Sequence, residues 1–302
     1  MTFQVNDSPF AGRDGKFITT RNLKERLDRE LLYNVALRVE PGDSPDKYRV
    51  SGRGELHLTV LIETMSREGY ELAVSRPEVI VHEIDGVQQE PFETLLIDCD
   101  EEHQGSVIEE LGRRRAELQD LQPDGKGRVR MQFMVPTRGL IGFRSLFLST
   151  TSGSGVMSHV FDHYGEVKAG EVAGRQNGVL VSMVSGKTLG YALFNLQERG
   201  RLFVGPNVEV YEGMIVGLHN RDNDLVVNPT KAKQLTNIRA SGSDENIVLT
   251  PPVLHSLEQA MEFIEDDELV EVTPGSIRLR KKLLTENERK RHSRGSVARG
   301  KQ

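Results

Sequence analysis

The spacing of apolar positions changes period between Tyr48 and Leu61. Tyr48 and Val50 alternate with polar Arg49 and Ser51, the pattern of a half-buried strand. Further on, Leu56, Val60 and Leu61 recur at helical spacing, with Glu63 and Thr64 on the other side. Gly52, Arg53 and Gly54 lie between, which suits a sharp turn from strand to helix. The succession then returns: Val50-x-x-Arg53-Gly54 is matched 85 residues later by Val135-x-x-Arg138-Gly139. Leu140, Ile141 and Leu146 follow as a second apolar helix. The recurrence predicts a repeated supersecondary unit. Both Arg-Gly turns are expected to be structural, and strained to substitution if either glycine sits at positive φ.

The flanking pattern completes each unit. Residues 2–5 predict a strand, and Thr19 or Thr20 can cap a helix through Tyr33, with Leu23, Leu27 and Leu31 inward. Asn34 to Val39 predicts a strand, Gly69 a helix end, and Tyr70 to Val74 a closing strand. Arg76-Pro77 opens a connector that is extended around Val79 to Val81. The second unit predicts a strand from Phe92 to Asp98 and a helix from Glu101 to Arg114, with Val107, Ile108 and Leu111 inward. A strand, the turn Pro123-Asp124-Gly125 and a strand from Val129 to Val135 follow. After the second helix, Val156 to Phe161 closes the unit. Each order is βαββαβ, the split βαβ or ferredoxin-like arrangement.

From about Gly165 the texture changes to short β-like runs: Val179 to Ser182, Tyr191 to Phe194, Leu202 to Val204 and Val208 to Tyr211. Their glycine-punctuated spacing predicts a small barrel or sandwich. Asn228 to Asn246 is a long polar loop. Ser256 with Gln259 forms a capping box for one helix, whose apolar face is Leu257, Ala260, Met261 and Ile264. Strands at Leu269–Val272 and Ile277–Leu279 precede a basic tail. The expected class is α+β: two ferredoxin-like domains at 1–85 and 86–168, then a mostly β, barrel-like domain at 169–302.

Charge sharpens this picture. Net charge is −6, yet residues 276–302 hold ten Lys/Arg against two acids, so the remainder sums to −14. Such asymmetry predicts a basic arm for an anionic partner, the plainer alternative being a solubilising tail. A single cysteine excludes a disulfide framework. The N-terminus has no signal-peptide pattern, and no apolar run reaches membrane-span length. Catalytic chemistry is missing. Ser185-Gly186-Lys187-Thr188 lacks the earlier Walker A glycine, Val181 standing there, and is expected to be a strand-end turn. His159 and His163 are expected to be ordinary sheet histidines, and the acids from Glu262 to Glu271 a solvated helix end.

Val50-Ser-Gly-Arg-Gly-Glu-Leu-His-Leu58 resembles the third-domain motif of the elongation-factor-G group of translational GTPases, in the form of the BipA/TypA family. Asn34 to Val39, Glu71 to Pro77, Gly105 to Val107, Pro136 to Arg144 and Arg175 to Leu180 are similar to it too. So are Val210 to Met214, Leu235 to Gly242, Leu257 to Phe263, Leu269 to Pro274 and Leu284 to Asn287, within the third that separates this family from its relatives. The resemblance implies a longer parent, with GTP and Mg held in an N-terminal G domain that this chain lacks. The units here then correspond to the third, the fifth and the family-specific C-terminal domains. It implies no catalytic residue, cofactor or metal in this chain. The implied role is ribosome binding in large-subunit assembly and in stress, cold-growth and virulence responses. Partners would be 23S rRNA, ribosomal proteins and tRNA, for a monomeric, cytoplasmic protein. Rivals are a ligand-sensing regulatory module and an acylphosphatase-like hydrolase.

Two stretches are the candidate RNA contacts. The polar loop offers Lys231, Lys233, Thr236, Asn237, Arg239 and Ser241. The tail offers Arg278, Arg280, Lys281, Lys282, Arg289, Lys290, Arg291 and Arg294.

Overall fold

A computed structural model describes residues 1–170, 174–232 and 248–299. The packing gives two compact units, one of residues 1–76 with the chain from Arg175 onward, the other Pro77–Gly174.

The first unit begins with β1 (Thr2–Val5), α1 (Thr20–Leu31), β2 (Arg38–Pro41), β3 (Lys47–Ser51), α2 (Glu55–Glu68) and β4 (Leu72–Val74). Thr19 caps α1, its Oγ1 accepting from the Asn22 N–H at 3.2 Å. Gly69, at φ 99°, ends α2 in the left-handed region. The strands are antiparallel in the order β4-β1-β3-β2, the split βαβ order. Two expectations change. Strand β2 starts at Arg38, because Asn34 to Leu37 closes as a turn through the Leu37 N–H and the Asn34 carbonyl. The buried face of α2 is Leu58, Leu61, Ile62 and Met65, whereas Leu56 is 66% and Val60 54% exposed. The row through Leu61 at i−3 and i+4 is Leu58 and Met65; Leu56 and Val60 lie on a neighbouring row.

The second unit holds β5 (His82–Ile84), β6 (Val87–Asp100), a 3₁₀ turn at Glu101–His103, α3 (Gln104–Arg113), β7 (Glu117–Pro123), β8 (Arg128–Pro136), α4 (Thr137–Leu140), α5 (Phe143–Thr150) and β9 (Val156–Glu166). Pairing runs β9-β6-β8-β7, again the split order, with β5 on the first residues of β6. Its core lies on one sheet face: Leu95, Ile97, Met131 and Phe133 against Val107, Leu111, Phe143 and Phe147. The second helix buries those two phenylalanines, and Leu146 is half-exposed instead of inward. Strand β6 is longer than expected because β5 pairs with its start, where an extended connector was anticipated.

The chain returns to the first unit through β10 (Val179–Ser182), β11 (Gly186–Lys187), α6 (Gly190–Leu196), β12 (Gly200–Leu202), β13 (Glu209–Val210), β14 (Ile215–His219), β15 (Leu225–Val227), α7 (Leu257–Phe263), β16 (Glu268–Thr273), β17 (Ser276–Lys281) and α8 (Glu286–Arg299). The described residues form no closed barrel. They make an open sheet, β12-β14-β10-β15, and a separate pair, β11-β13. Tyr191 to Phe194 is helical, not a strand, because Leu193 and Leu196 share one row and reach the core together. The capping box at Ser256 and Gln259 forms as expected.

Strands β16 and β17 do not join that open sheet. They extend the first one, giving β17-β16-β4-β1-β3-β2, with Val270 opposite Val74 and Val272 opposite Leu72. One core results: Phe3, Val50, Ile62 and Val74 pack with Val181, Ile215, Met261 and Val270.

Candidate nucleic-acid interface

The basic run that opens at Arg278 divides at the end of β17. Every residue of β16 is buried, because the strand is covered on both edges and both faces. Two of those residues are acids, Glu268 and Glu271, which therefore need paired donors. The hairpin supplies them across the strands: Glu268 stands opposite Lys281 and Glu271 opposite Arg278.

Glu271 accepts from Arg278 Nη1 at 2.9 Å, Tyr211 Oη at 2.5 Å, Ser8 Oγ at 2.9 Å and Asn6 Nδ2 at 3.1 Å. Burial, with the neighbouring carboxylate, pushes the Tyr211 hydroxyl far above its ordinary range, so it stays a donor. Glu268 takes Arg175 in a fork, Nη1 at 2.9 Å and Nη2 at 2.8 Å, with Lys281 Nζ at 2.9 Å. Burial pushes the Glu268 carboxyl up; the bonds from Arg175 and the charge of Lys281 outweigh it and hold it below the usual range. Burial likewise works against the Lys281 ammonium, and Glu268, Asp224 and Asp267 reverse the sign, keeping it charged. Arg280, 1% exposed, pairs with Asp7.

Three of the expected phosphate contacts, Arg278, Arg280 and Lys281, are thus internal counter-ions. The acids from Glu262 onward, taken as a solvated helix end, include the two fully buried carboxylates that Arg278 and Lys281 neutralise. A signal for this was present: acids at 268 and 271, bases at 278 and 281, and Pro274-Gly275 between them fit a hairpin with matched charges.

Beyond β17 most of the described cations face outward. Lys282, Lys290, Arg291 and Arg294 are exposed. Lys290 pairs with Glu286 one turn earlier on α8, and half-buried Arg289 donates to the Leu283 carbonyl at 2.9 Å. Thr285 and Glu288 cap this helix reciprocally, Thr285 Oγ1 accepting from the Glu288 N–H at 3.3 Å and Glu288 Oε2 from the Thr285 N–H at 3.2 Å. Acids occupy its first turn and bases follow, which suits the helix dipole. Of the loop residues, Lys231 is described and exposed. Lys233, Thr236, Asn237, Arg239 and Ser241 lie outside the described residues.

The two Arg-Gly turns sit far from this helix in the chain and differ from each other. Neither glycine has positive φ: Gly54 is extended at φ 177°, and Gly139 lies inside α4. Backbone strain is therefore not their reason. A Cβ on Gly139 would stand 2.6 Å from the Arg114 carbonyl oxygen, and one on Gly52 2.7 Å from His57 Nδ1, whereas one on Gly54 would meet nothing. Arg53 is exposed. Arg138 instead grips fully buried Glu90, with Nε 2.6 Å from Oε2, and donates to the carbonyls of Lys168 and Gly170.

The remaining candidates resolve simply. The Ser185 to Thr188 stretch, expected to be a strand-end turn, holds the short strand β11 paired with β13, and buried Thr188 Oγ1 donates to the Gly205 carbonyl at 2.7 Å. His159 pairs with Glu93 at 2.5 Å and His163 with Asp162 at 2.6 Å. No group of His, Cys, Asp and Glu suited to a metal occurs among the described residues. No described helix is long and apolar enough to cross a membrane.

Comparison with known proteins fits this layout. The family model "Elongation factor G C-terminus" matches residues 87–173, the second split unit, and "TypA/BipA C-terminal domain" matches 177–286, from β10 to the start of α8. The chain belongs to the TypA/BipA family. A protein of Haemophilus influenzae named "Large ribosomal subunit assembly factor BipA" is 63% identical over 99% of this chain and 48% of its own length. Proteins of the same name from Salmonella typhimurium and Escherichia coli K12 are 59% and 60% identical, over 98% and 97% of this chain and 49% and 48% of their lengths. The chain thus spans about half the length of the curated relatives it matches.

Proposed function

We propose that this chain is the ribosome-docking half of a large-subunit assembly factor, and that it holds rRNA through the cations beyond β17. The observation that carries the reading is the exposed set formed by Lys282, just after β17, and Lys290, Arg291 and Arg294 on α8, a helix with no fully buried residue among its described side chains. Internal pairing of Arg278, Arg280 and Lys281 supports that division of labour, since those charges are already neutralised. The names of relatives at 59–63% identity support the ribosome as partner. Lys231 and the polar residues after it are the second contact in this reading, directed at tRNA or the rRNA around it. GTP and Mg belong to the other half of the longer relatives, so this chain is expected neither to bind nor to hydrolyse GTP. A soluble cytoplasmic monomer acting in stress-responsive translation completes the proposal.

The test is binding of large-subunit rRNA to the chain at several salt concentrations. Replacing Lys282, Arg291 and Arg294 by Ala should weaken binding and make the slope of log affinity against log salt shallower by roughly 2, as lost phosphate contacts release fewer counterions. Unchanged affinity and slope overturn the tail as the contact. Isothermal titration with GTP and Mg should register no heat; micromolar binding overturns the assignment of nucleotide to the other half.

A further inference from the structure

The joint between the first split unit and the C-terminal segment contains one carboxylate that nothing so far explains. Glu55 is the first residue of α2, and α2 packs on α7. Apolar side chains seat the two helices: Leu58, Leu61 and Ile62 from α2, Leu257, Ala260 and Met261 from α7, all in one core. Glu55 lies at the edge of that contact. Its Oε1 is shut off from solvent and accepts no hydrogen bond among the described residues. A buried, unpaired carboxylate oxygen is costly when charged and tolerable when protonated.

The surroundings push the same way. From α7, Glu258 and Glu262 act on Glu55 as like charges one helical turn apart. From the segment after β4 comes Arg76, a cation that favours the charged form, and Arg76 Nη1 is already 3.0 Å from Glu265 Oε2. Strand β16, also packed on α2, brings Glu268 and Glu271, each bound by its own cations. Within α2, His57 takes the Arg53 N–H on Nδ1 and faces Asn34 with Nε2. Burial, then Glu262 and Glu258, push the Glu55 carboxyl up to about 7, with Arg76 opposing.

We propose that the α2–α7 seam is a proton-operated clasp, closed while Glu55 holds its proton and loosened when Glu55 ionises against the acids of α7. The apolar contacts keep α7 in place; the proton sets how often it lifts. The sign follows from linkage. The closed form binds the proton more tightly than the open form, where Glu55 returns to its ordinary value near 4.5. Opening is therefore rarest below that value, grows more frequent as pH rises toward 7, and levels off above it. This device is independent of the RNA-binding proposal, since none of its groups belongs to the tail or the polar loop.

Hydrogen exchange of the α7 amides in the full chain tests it, with intrinsic exchange rates divided out. Protection of residues 257–263 should fall about tenfold between pH 6 and pH 8 in the wild type, the change expected when opening releases one such proton. Glu55→Gln should abolish the fall. If that variant does not fold, Glu258→Gln with Glu262→Gln serves instead: Glu258 is exposed and Glu262 half-buried, and their loss should move the midpoint to lower pH. Equal protection at both pH values in the wild type overturns the clasp. So does an undiminished fall in Glu55→Gln, or an unmoved midpoint in the double variant.

Discussion

The two split βαββαβ units share a strand order and differ at the same edge. In the first, the fourth strand is β4, three residues long and buried throughout, and β16–β17 extend the sheet beyond it. In the second, the fourth strand is β9, eleven residues long, and most of its side chains are exposed. Composition follows that fate. Strand β4 reads Leu-Ala-Val, an apolar edge that invites another strand, whereas β9 carries Ser158, His159, Asp162 and His163, polar groups that discourage one. One topology thus serves as a foundation in the first unit and as a finished sheet in the second. What the foundation carries, the hairpin β16–β17, brings charges that a finished edge would leave in water.

The largest effect should come from breaking the foundation. Glu271→Ala strips Arg278 of its cross-strand partner and leaves Tyr211 and Ser8 without their acceptor, while Asn6 keeps Glu71. Breaking a buried pair of this kind costs about 3–5 kcal/mol. Urea unfolding followed residue by residue should show that loss in the first unit and none in Pro77–Gly174. A matching loss in both units would mean that the edge joint is not local to the first.

The next comparison sets the repeated turns against each other. Gly139→Ala forces a methyl group toward the Arg114 carbonyl at 2.6 Å and should cost about 1–3 kcal/mol, the usual range for overpacking. Gly54→Ser, at the matching position, enters open space with extended backbone and caps α2, so it should change stability by no more than about 0.5 kcal/mol. Equal costs at the two positions would restore the equivalence that their sequences suggest.

The smallest effect concerns the free edge itself. The bond to Glu93 holds the His159 imidazole above its ordinary range, against its own burial. Burial pushes the Glu93 carboxyl up, but His159 and Thr137 outweigh it and hold it down. The histidine's contribution is present below its unfolded value of about 6.5 and is lost as pH rises through the raised folded one. Its partner's contribution is lost as pH falls through the depressed carboxyl range. His159 is half-exposed, so the pair is worth at most about 1 kcal/mol. The melting temperature of Pro77–Gly174, followed within the full chain, should fall slightly from pH 5.5 to 8.5, and His159→Gln should flatten that fall. An unchanged fall in the variant would assign the dependence elsewhere.

Both split units could be read from residues alone, because each element carries its own local signal. Thr19 caps α1, Gly69 ends α2, and alternation marks β3 and β8. The capping box of α7 and the strands β16 and β17 were legible for the same reason. Local signals also misled where two periods fit a short run: Tyr191 to Phe194 suits a strand as well as the helix it forms, and Leu56 looked inward although its row faces solvent.

Pairing between distant segments depends on which apolar edge meets which, and no local period encodes that. Only the tertiary structure seats β16 beside β4, almost 200 residues earlier in the chain. That placement decided the candidate site. Arg278, Arg280 and Lys281 share the charge and neighbourhood of Lys282, Arg291 and Arg294, and sequence puts them in one basic tail. The fold draws the first three into a dry sheet, Arg278 and Lys281 against buried carboxylates and Arg280 against Asp7, where desolvation compels pairing, and leaves the others in water, free to meet an outside anion.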